Sequence, residues 1–342
     1  MTASVKSLLY SSILAIVFLF QYGCSNAQPD GGIKTESSEK KPIDKNARVV
    51  LDSSAYAGRM HAMANGDSSG KWKFKNDYPK PGAILPFHRI IAYYGNLYST
   101  RMGILGELPK PQMFARLKKE VELWNKADST TPAMPALHYI VATAQQAPGS
   151  AGKYRLRMPD SQIDKVMAMA DEIGAIVFLD IQVGLSTLKE EIPVIEKYLK
   201  MPNVHLGIDP EFSMKGGQKP GSVIGSFDAS DINFAANYLA NLVNQYNLPP
   251  KVLVIHRFTQ AMVKEYKKVR LIPEVQFVMD MDGWGAPARK INTYKQFVYA
   301  EPIQFAGFKL FYKNDLKEPP HRLLTPKELL NLKPKPLYIQ YQ

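Results

Sequence analysis

Three apolar runs of the chain close on one pattern. Asp180-Ile-Gln182, Asp209-Pro-Glu211 and Asp280-Met-Asp282 each place two polar residues, spaced by two, at the C-terminal end of the run. A strand turns successive side chains to opposite faces, so the members of each pair point the same way. Carboxyl groups confined together cannot all ionise freely; one is pushed up and stays protonated beside an ionised partner. Hydrolysis of a glycosidic bond needs this division: an acid to protonate the leaving oxygen and a carboxylate to act as nucleophile or base. Five carboxylates and a glutamine are therefore expected in one cleft. Glu211 is the candidate proton donor, Asp280 or Asp282 its partner, and Asp209, Asp180 and Gln182 their support. The opposing reading of Glu211 is a carboxylate that caps the amides of the next loop.

Other residues add to this set. Lys309 interrupts the apolar run Gly307-Phe-Lys-Leu-Phe-Tyr312, and a buried ammonium requires a carboxylate partner, here Asp280, Asp282 or Asp209. His256 and Arg257 are neighbours on a strand, so only one can face the cleft; His256 is in register with Val252 and Val254. Trp284, just after the Asp280/Asp282 pair, offers an indole face for a sugar ring. Tyr94 (or Tyr93) and His138 are weaker candidates on the first two strands. The same acids could hold Ca²⁺ or Mg²⁺, but no His-x-His or His-Glu-x-x-His spacing points to zinc, and no cofactor is expected. A Gly-x-Ser-x-Gly elbow for a nucleophilic serine is also missing.

The elements that position these residues follow from periodicity. Strands are expected at Arg89–Gly95, Ala136–Ala144, up to Gln182, up to Glu211, Lys251–Phe258, up to Asp282, Phe305–Tyr312 and Leu337–Tyr341. Between them, Met113, Leu117, Val121 and Trp124 share one face of a helix over Pro111–Lys126, and Ile163, Val166, Met167, Ala170 and Ile173 share another capped by Asp160. Further helices are expected up to Leu199, over Ser230–Tyr246 and over Ala286–Phe297. Thr325-Pro-Lys-Glu328 is a capping box with proline at the first helical position. A long loop with four glycines, Ser213 to Phe227, is expected to overhang the cleft. Strand alternating with helix predicts an α/β fold with a parallel sheet. Residues 81–342, roughly 260 in all, match the length of a (β/α)₈ TIM-barrel-like domain. The absence of Gly-x-Gly-x-x-Gly after the first strand argues against a dinucleotide-binding sheet.

The N-terminus reads as an export signal. Lys6 precedes a 13-residue apolar stretch, Leu8 to Phe20, too short for a comfortable membrane span. Cys24, the only cysteine, follows directly in Gln21-Tyr-Gly-Cys24. This resembles a bacterial lipoprotein signal, over residues 1–24, in which the cysteine is lipidated and anchors the mature chain to the membrane; ordinary cleavage after Ala27 is the alternative. Residues 25–80 hold a flexible tether, rich in Ser, Lys, Glu, Pro and Gly, and an N-terminal extension. In that extension Lys71-Trp-Lys-Phe-Lys75 alternates like a short strand. The net charge of +12 invites a nucleic-acid partner, but the lysines are scattered over helix faces with no accompanying motif. A carbohydrate polymer and the membrane are the expected partners.

With these segments placed, a resemblance is apparent. Ile91-Ala-Tyr-Tyr-Gly95, Met102-Gly-Ile-Leu-Gly-Glu107, Asp180-Ile-Gln-Val-Gly184, Ile208-Asp-Pro-Glu211, Val223-Ile-Gly-Ser226 and Gly307-Phe-Lys-Leu-Phe-Tyr312 together resemble a family of uncharacterised bacterial secreted proteins and lipoproteins with a glycoside-hydrolase-like TIM barrel. The resemblance covers roughly residues 88 to 342 and implies the fold and the export; it brings no activity with it. Asp209-Pro-Glu211 is also similar to the end of the chitinase-type motif, whose terminal Glu is the proton donor. His205 and Gly207 stand where that motif has its upstream acids. Retaining barrels with their acid on strand four carry the nucleophile on strand seven, where this chain has Lys309. Two readings stay open: an exported, lipid-anchored barrel that cleaves a cell-envelope or environmental polysaccharide, and a non-catalytic polysaccharide-binding or envelope-scaffold lipoprotein whose acids pair with Lys309 and Arg257.

Overall fold

Branched and aromatic residues dominate the runs that become strands, because stiff side chains fit a pleated and fully buried surface. The computed structural model describes residues 50–72 and 77–342. Eight parallel strands follow one another: β1 (Arg89–Gly95), β2 (Ala133–Ala144), β3 (Ile176–Ile181), β4 (Val204–Ile208), β5 (Lys251–Arg257), β6 (Val275–Met281), β7 (Phe305–Leu310) and β8 (Tyr338–Tyr341). Each pairs with the next, and β1 pairs with both β2 and β8, so the sheet closes on itself. The α/β barrel read from the sequence is the fold. A short antiparallel strand, Arg155–Arg157, extends the end of β2.

Amphipathic helices cover the outside. α1 (Ser53–Ala64) precedes the barrel, and α2 (Lys110–Ala127) buries Met113, Leu117 and Trp124. α3 (Asp160–Ile173) buries Ile163, Val166 and Ala170; α4 (Ala229–Tyr246) is started by a reciprocal capping box between Asp228 and Asp231. α5 (Pro287–Tyr294) runs on into a wide π turn, Lys295–Tyr299. The Thr325–Glu328 capping box forms as expected. Among the described residues no helix is long and apolar enough to cross a membrane.

Four boundaries differ from the sequence reading, each for a physical reason. The helix between β3 and β4 is broken into Leu188–Glu191, a 3₁₀ turn Ile192–Ile195 and Glu196–Leu199, because Pro193 has no N–H to donate. Pro159, not Asp160, occupies the N-cap position of α3; Asp160 lies in the first turn and pairs with Lys197 at 2.7 Å. β4 stops at Ile208 and Pro210 opens a 3₁₀ turn, Pro210–Phe212, so Glu211 stands on a turn and not on the strand. Lys71 and Trp72 form a turn; the rest of the expected strand there, and the signal, Cys24 and most of the tether, lie outside the described residues.

α1 and the segment before β1 cover the N-terminal ends of the strands. Tyr56 of α1 is fully buried, with its ring 6.1 Å from that of Phe87. Gln276, at the start of β6, accepts the amides of Ile84 and Leu85 at 3.0 and 3.1 Å. Lys335, before β8, donates to Met63 O at 2.8 Å. Above this floor the barrel is filled, not hollow. The rings of His138 and Phe178 stack at 5.2 Å, and Tyr338 meets Phe178 edge-on at 5.4 Å. Register sets the next layer: Tyr94 is opposite His138, Asp180 opposite Gly207, and His256 opposite Asp280, which is itself opposite Gly307.

Candidate active site

At the carboxyl ends of the strands a cavity of about 570 Å³ opens. Its floor is made of Tyr94, Gln182, Asp209, Asp282 and Lys309; Glu211, Trp284, Phe212, Phe258, Phe311, Arg101 and Arg289 stand around it. Such a position is where barrel enzymes place their chemistry, since the connecting loops vary there while the strands stay fixed.

Lys309 projects inward from β7 and lies 3.0 Å from Asp282 Oδ1. Its ammonium also sits 3.8 Å from the centre of the Tyr94 ring, a cation–π contact. Tyr94 in turn donates its hydroxyl to Asp180 Oδ2 at 3.2 Å. Gln182 accepts the Ala144 amide at 3.0 Å and reaches Tyr94 Oη and Asp209 Oδ2 at 3.4 Å each. Asp209 uses its other oxygen to accept the Glu211 amide at 3.0 Å. The capping carboxylate of this turn is therefore Asp209, and the Glu211 side chain is left to the cavity. Gly225 N donates to Glu211 O at 2.7 Å and braces the same turn.

These surroundings separate the acids. Burial pushes Glu211 up to about 7, with the Asp282 charge adding to the effect while Lys309 and His256 oppose it. Burial also holds Asp209 well above the carboxylate range against the pull of His256. Asp282 faces the Lys309 ammonium directly. Around neutral pH the wall thus offers a carboxylic acid on Glu211 across from a carboxylate held by a cation.

Beneath the floor lies a second, fully buried layer of His138, Asp180, His256 and Asp280. His256 Nδ1 is 3.3 Å from both Asp280 Oδ2 and Asp282 Oδ2, and its Nε2 is 3.5 Å from Asp180 Oδ1. Burial alone would lower His256, but Asp180 and Asp282 hold it well above its ordinary value. Burial alone would raise Asp180; the His256 charge and contacts from both histidines hold it below the usual range. His138 is lowered to about 4 by burial, which the neighbouring Asp180 only partly offsets. Burial raises Asp280.

The five carboxylates and Gln182 do converge, in two tiers. Asp209, Glu211, Asp282 and Gln182 reach the cavity with Tyr94, Lys309 and Trp284, whereas Asp180, Asp280 and His256 are sealed below it. Arg257 points away from the barrel axis, pairs with Glu301 and donates to Phe297 O and Gln260 O. It takes no part in the acid cluster, as its alternation with His256 requires. Tyr93 also faces outward, with its hydroxyl 3.0 Å from that of Tyr312. Apart from Phe212, no residue of the following glycine-rich loop lines the cavity.

Sequence reasoning missed the Lys290–Asp315 pair, both about 1% exposed and 2.8 Å apart. Asp315 also accepts the amides of Gly285 and Phe311 at 3.0 and 2.9 Å. It thereby ties the Trp284 loop to the end of β7. An Asp far from any strand carries no signal of that role; a lysine on the buried face of a helix was the available hint.

No protein-family model matches the chain, and no curated relative matches it by sequence. Among solved structures it is similar to a ruminal GH26 endo-β-1,4-mannanase, with 13% identity and a TM-score of 0.31 over 74% of this chain and 58% of that one. It is also similar to a Podospora anserina GH26-CBM35 β-(1,4)-mannanase, with 12% identity and a TM-score of 0.32 over 77% of this chain and 64% of that one. The chain spans less than two thirds of each of these proteins.

Proposed function

We propose that this is an exported, lipid-anchored hydrolase that cleaves glycosidic bonds in a cell-envelope or environmental polysaccharide by carboxylate acid–base catalysis. The observation that carries the reading is the pairing of Glu211, raised to about 7 on the cavity wall, with Asp282, ion-paired to Lys309 on the floor. Glu211 protonates the departing oxygen, which needs an acid still protonated near neutral pH. Asp282 is the ionised partner, because Asp280 has no access to the cavity. It serves as nucleophile or as the base that activates water. Trp284, 46% exposed at the rim, stacks on a sugar ring. Export and the anchor rest on the leader and on Cys24.

A second reading is favoured by the same ion pair. If Lys309 neutralises Asp282 permanently, the cavity binds a polysaccharide without cutting it. Hydrolysis and binding of a panel of envelope and plant polysaccharides by the wild type and Glu211→Gln separate the two. Product formed by the wild type and lost in the variant supports the hydrolase. Equal binding without product supports the binding protein, and no binding to any polymer sinks both.

A further inference from the structure

The layer under the floor contains a convergence that the proposed chemistry does not use. His138 Nε2, on β2, lies 3.4 Å from Asp180 Oδ1, on β3, and His256 Nε2, on β5, lies 3.5 Å from the same oxygen. The three atoms are within 4.8 Å of one another. All three residues are fully buried, and none of these three atoms has a hydrogen-bond partner of acceptable geometry. Buried polar atoms without partners are costly, so three aimed at one point call for an occupant. We propose that His138 Nε2, Asp180 Oδ1 and His256 Nε2 bind one first-row transition-metal dication, zinc foremost.

The spacing suits a metal better than it suits hydrogen bonds. With ligand bonds of about 2.0–2.1 Å, a tetrahedral ion separates its ligand atoms by about 3.4 Å. Both edges to Asp180 already have that length. Two imidazoles and one carboxylate fit zinc, iron or manganese; Ca²⁺ asks for six or more oxygens, which this pocket lacks.

The outer contacts follow the same pattern. Ligand histidines typically donate their second nitrogen to a carboxylate or another acceptor, which fixes the ring. His138 Nδ1 is 2.5 Å from Tyr338 Oη, itself held by Gln340 Nε2 at 2.8 Å. His256 Nδ1 faces Asp280 and Asp282 at 3.3 Å each. Gly207 leaves the corner beside the cluster open. A Cβ there would lie 2.4 Å from Asp180 Oδ1 and 2.5 Å from His138 Nε2. With an ion on Nε2, His256 must carry its proton on Nδ1, so the metal would orient a donor at the underside of Asp282.

The test is elemental analysis of the full chain, loaded with Zn²⁺ and freed of excess, with Co²⁺ absorbance as an independent probe of the ligand set. About one metal per chain is expected, with the Co²⁺ spectrum of a tetrahedral nitrogen–oxygen site and a higher unfolding midpoint with Zn²⁺ than after chelation. Asp180→Asn and Gly207→Ala should each lower bound metal by about tenfold or more. A wild type that retains no metal and gains no stability would overturn the proposal and leave a proton-sharing His256–Asp180 pair. Equal retention by both variants would overturn it as well, because the metal would then lie elsewhere. The wild-type measurements stand even if either variant fails to fold.

Discussion

Lys309 Nζ lies 3.0 Å from Asp282 Oδ1, and both side chains are more than nine-tenths buried. A pair this dry is worth little against an apolar substitute, but breaking it strands a charge. Lys309→Met is therefore expected to destabilise the protein by about 3 kcal/mol, at the low end for a buried pair because Asp282 can take up a proton. Urea unfolding of the two proteins reads this out; equal midpoints would mean that the pair contributes nothing.

Glu211→Gln should lower hydrolysis about 10²–10⁴-fold without loss of fold. In the wild type the rate should fall as pH rises past about 7, where the acid loses its proton. The sign for stability is the same. Glu211 is raised from 4.5, so between there and about 7 the folded chain keeps a proton that the unfolded chain releases, and stability falls as pH rises. Glu211→Gln should flatten that slope, measured as unfolding midpoint against pH. An unchanged slope would place the group elsewhere.

Trp284 is half exposed at the cavity rim, so its loss should not weaken the core. Trp284→Ala is expected to weaken polysaccharide binding by up to about tenfold through lost ring stacking. The unfolding midpoint should not move. Calorimetric titration of the binding polymer, beside a thermal scan, checks both halves.

Asp315 holds Lys290, the Gly285 amide and the Phe311 amide at once. Asp315→Ala leaves a buried ammonium and two amides without their acceptor, and should cost about 3–5 kcal/mol. Lys290→Met with Asp315→Ala removes both charges and should recover part of the loss. A double variant no more stable than the single one would show that the amides, not the ion pair, matter.

The tiers of the site were legible in the sequence only to the extent that period-two alternation is. It placed Asp180, Asp280, His256 and Lys309 inside the barrel, and it correctly allowed only one of His256 and Arg257 there. Depth along the barrel axis is not encoded in alternation. Asp280 and Asp282 look equivalent in the sequence, yet only the one past the strand end meets solvent. Pro210 ends β4 two residues early and lifts Glu211 onto a turn, where Asp209 takes the capping role that had been weighed for Glu211. α1 escaped notice because its 12 residues bury only Tyr56 and Met63, which is too sparse a stripe to read.

The placement of α1 has a mechanical meaning. It and the segment after it close the barrel at the N-terminal ends of the strands, while the cavity opens at the carboxyl ends. Any pull transmitted through the residues before Val50 would act on the base of the molecule. A surface holding the chain by that end would carry the barrel upright, with its mouth turned outward like a cup set on its foot. Long polymers would then meet the opening before they met the support.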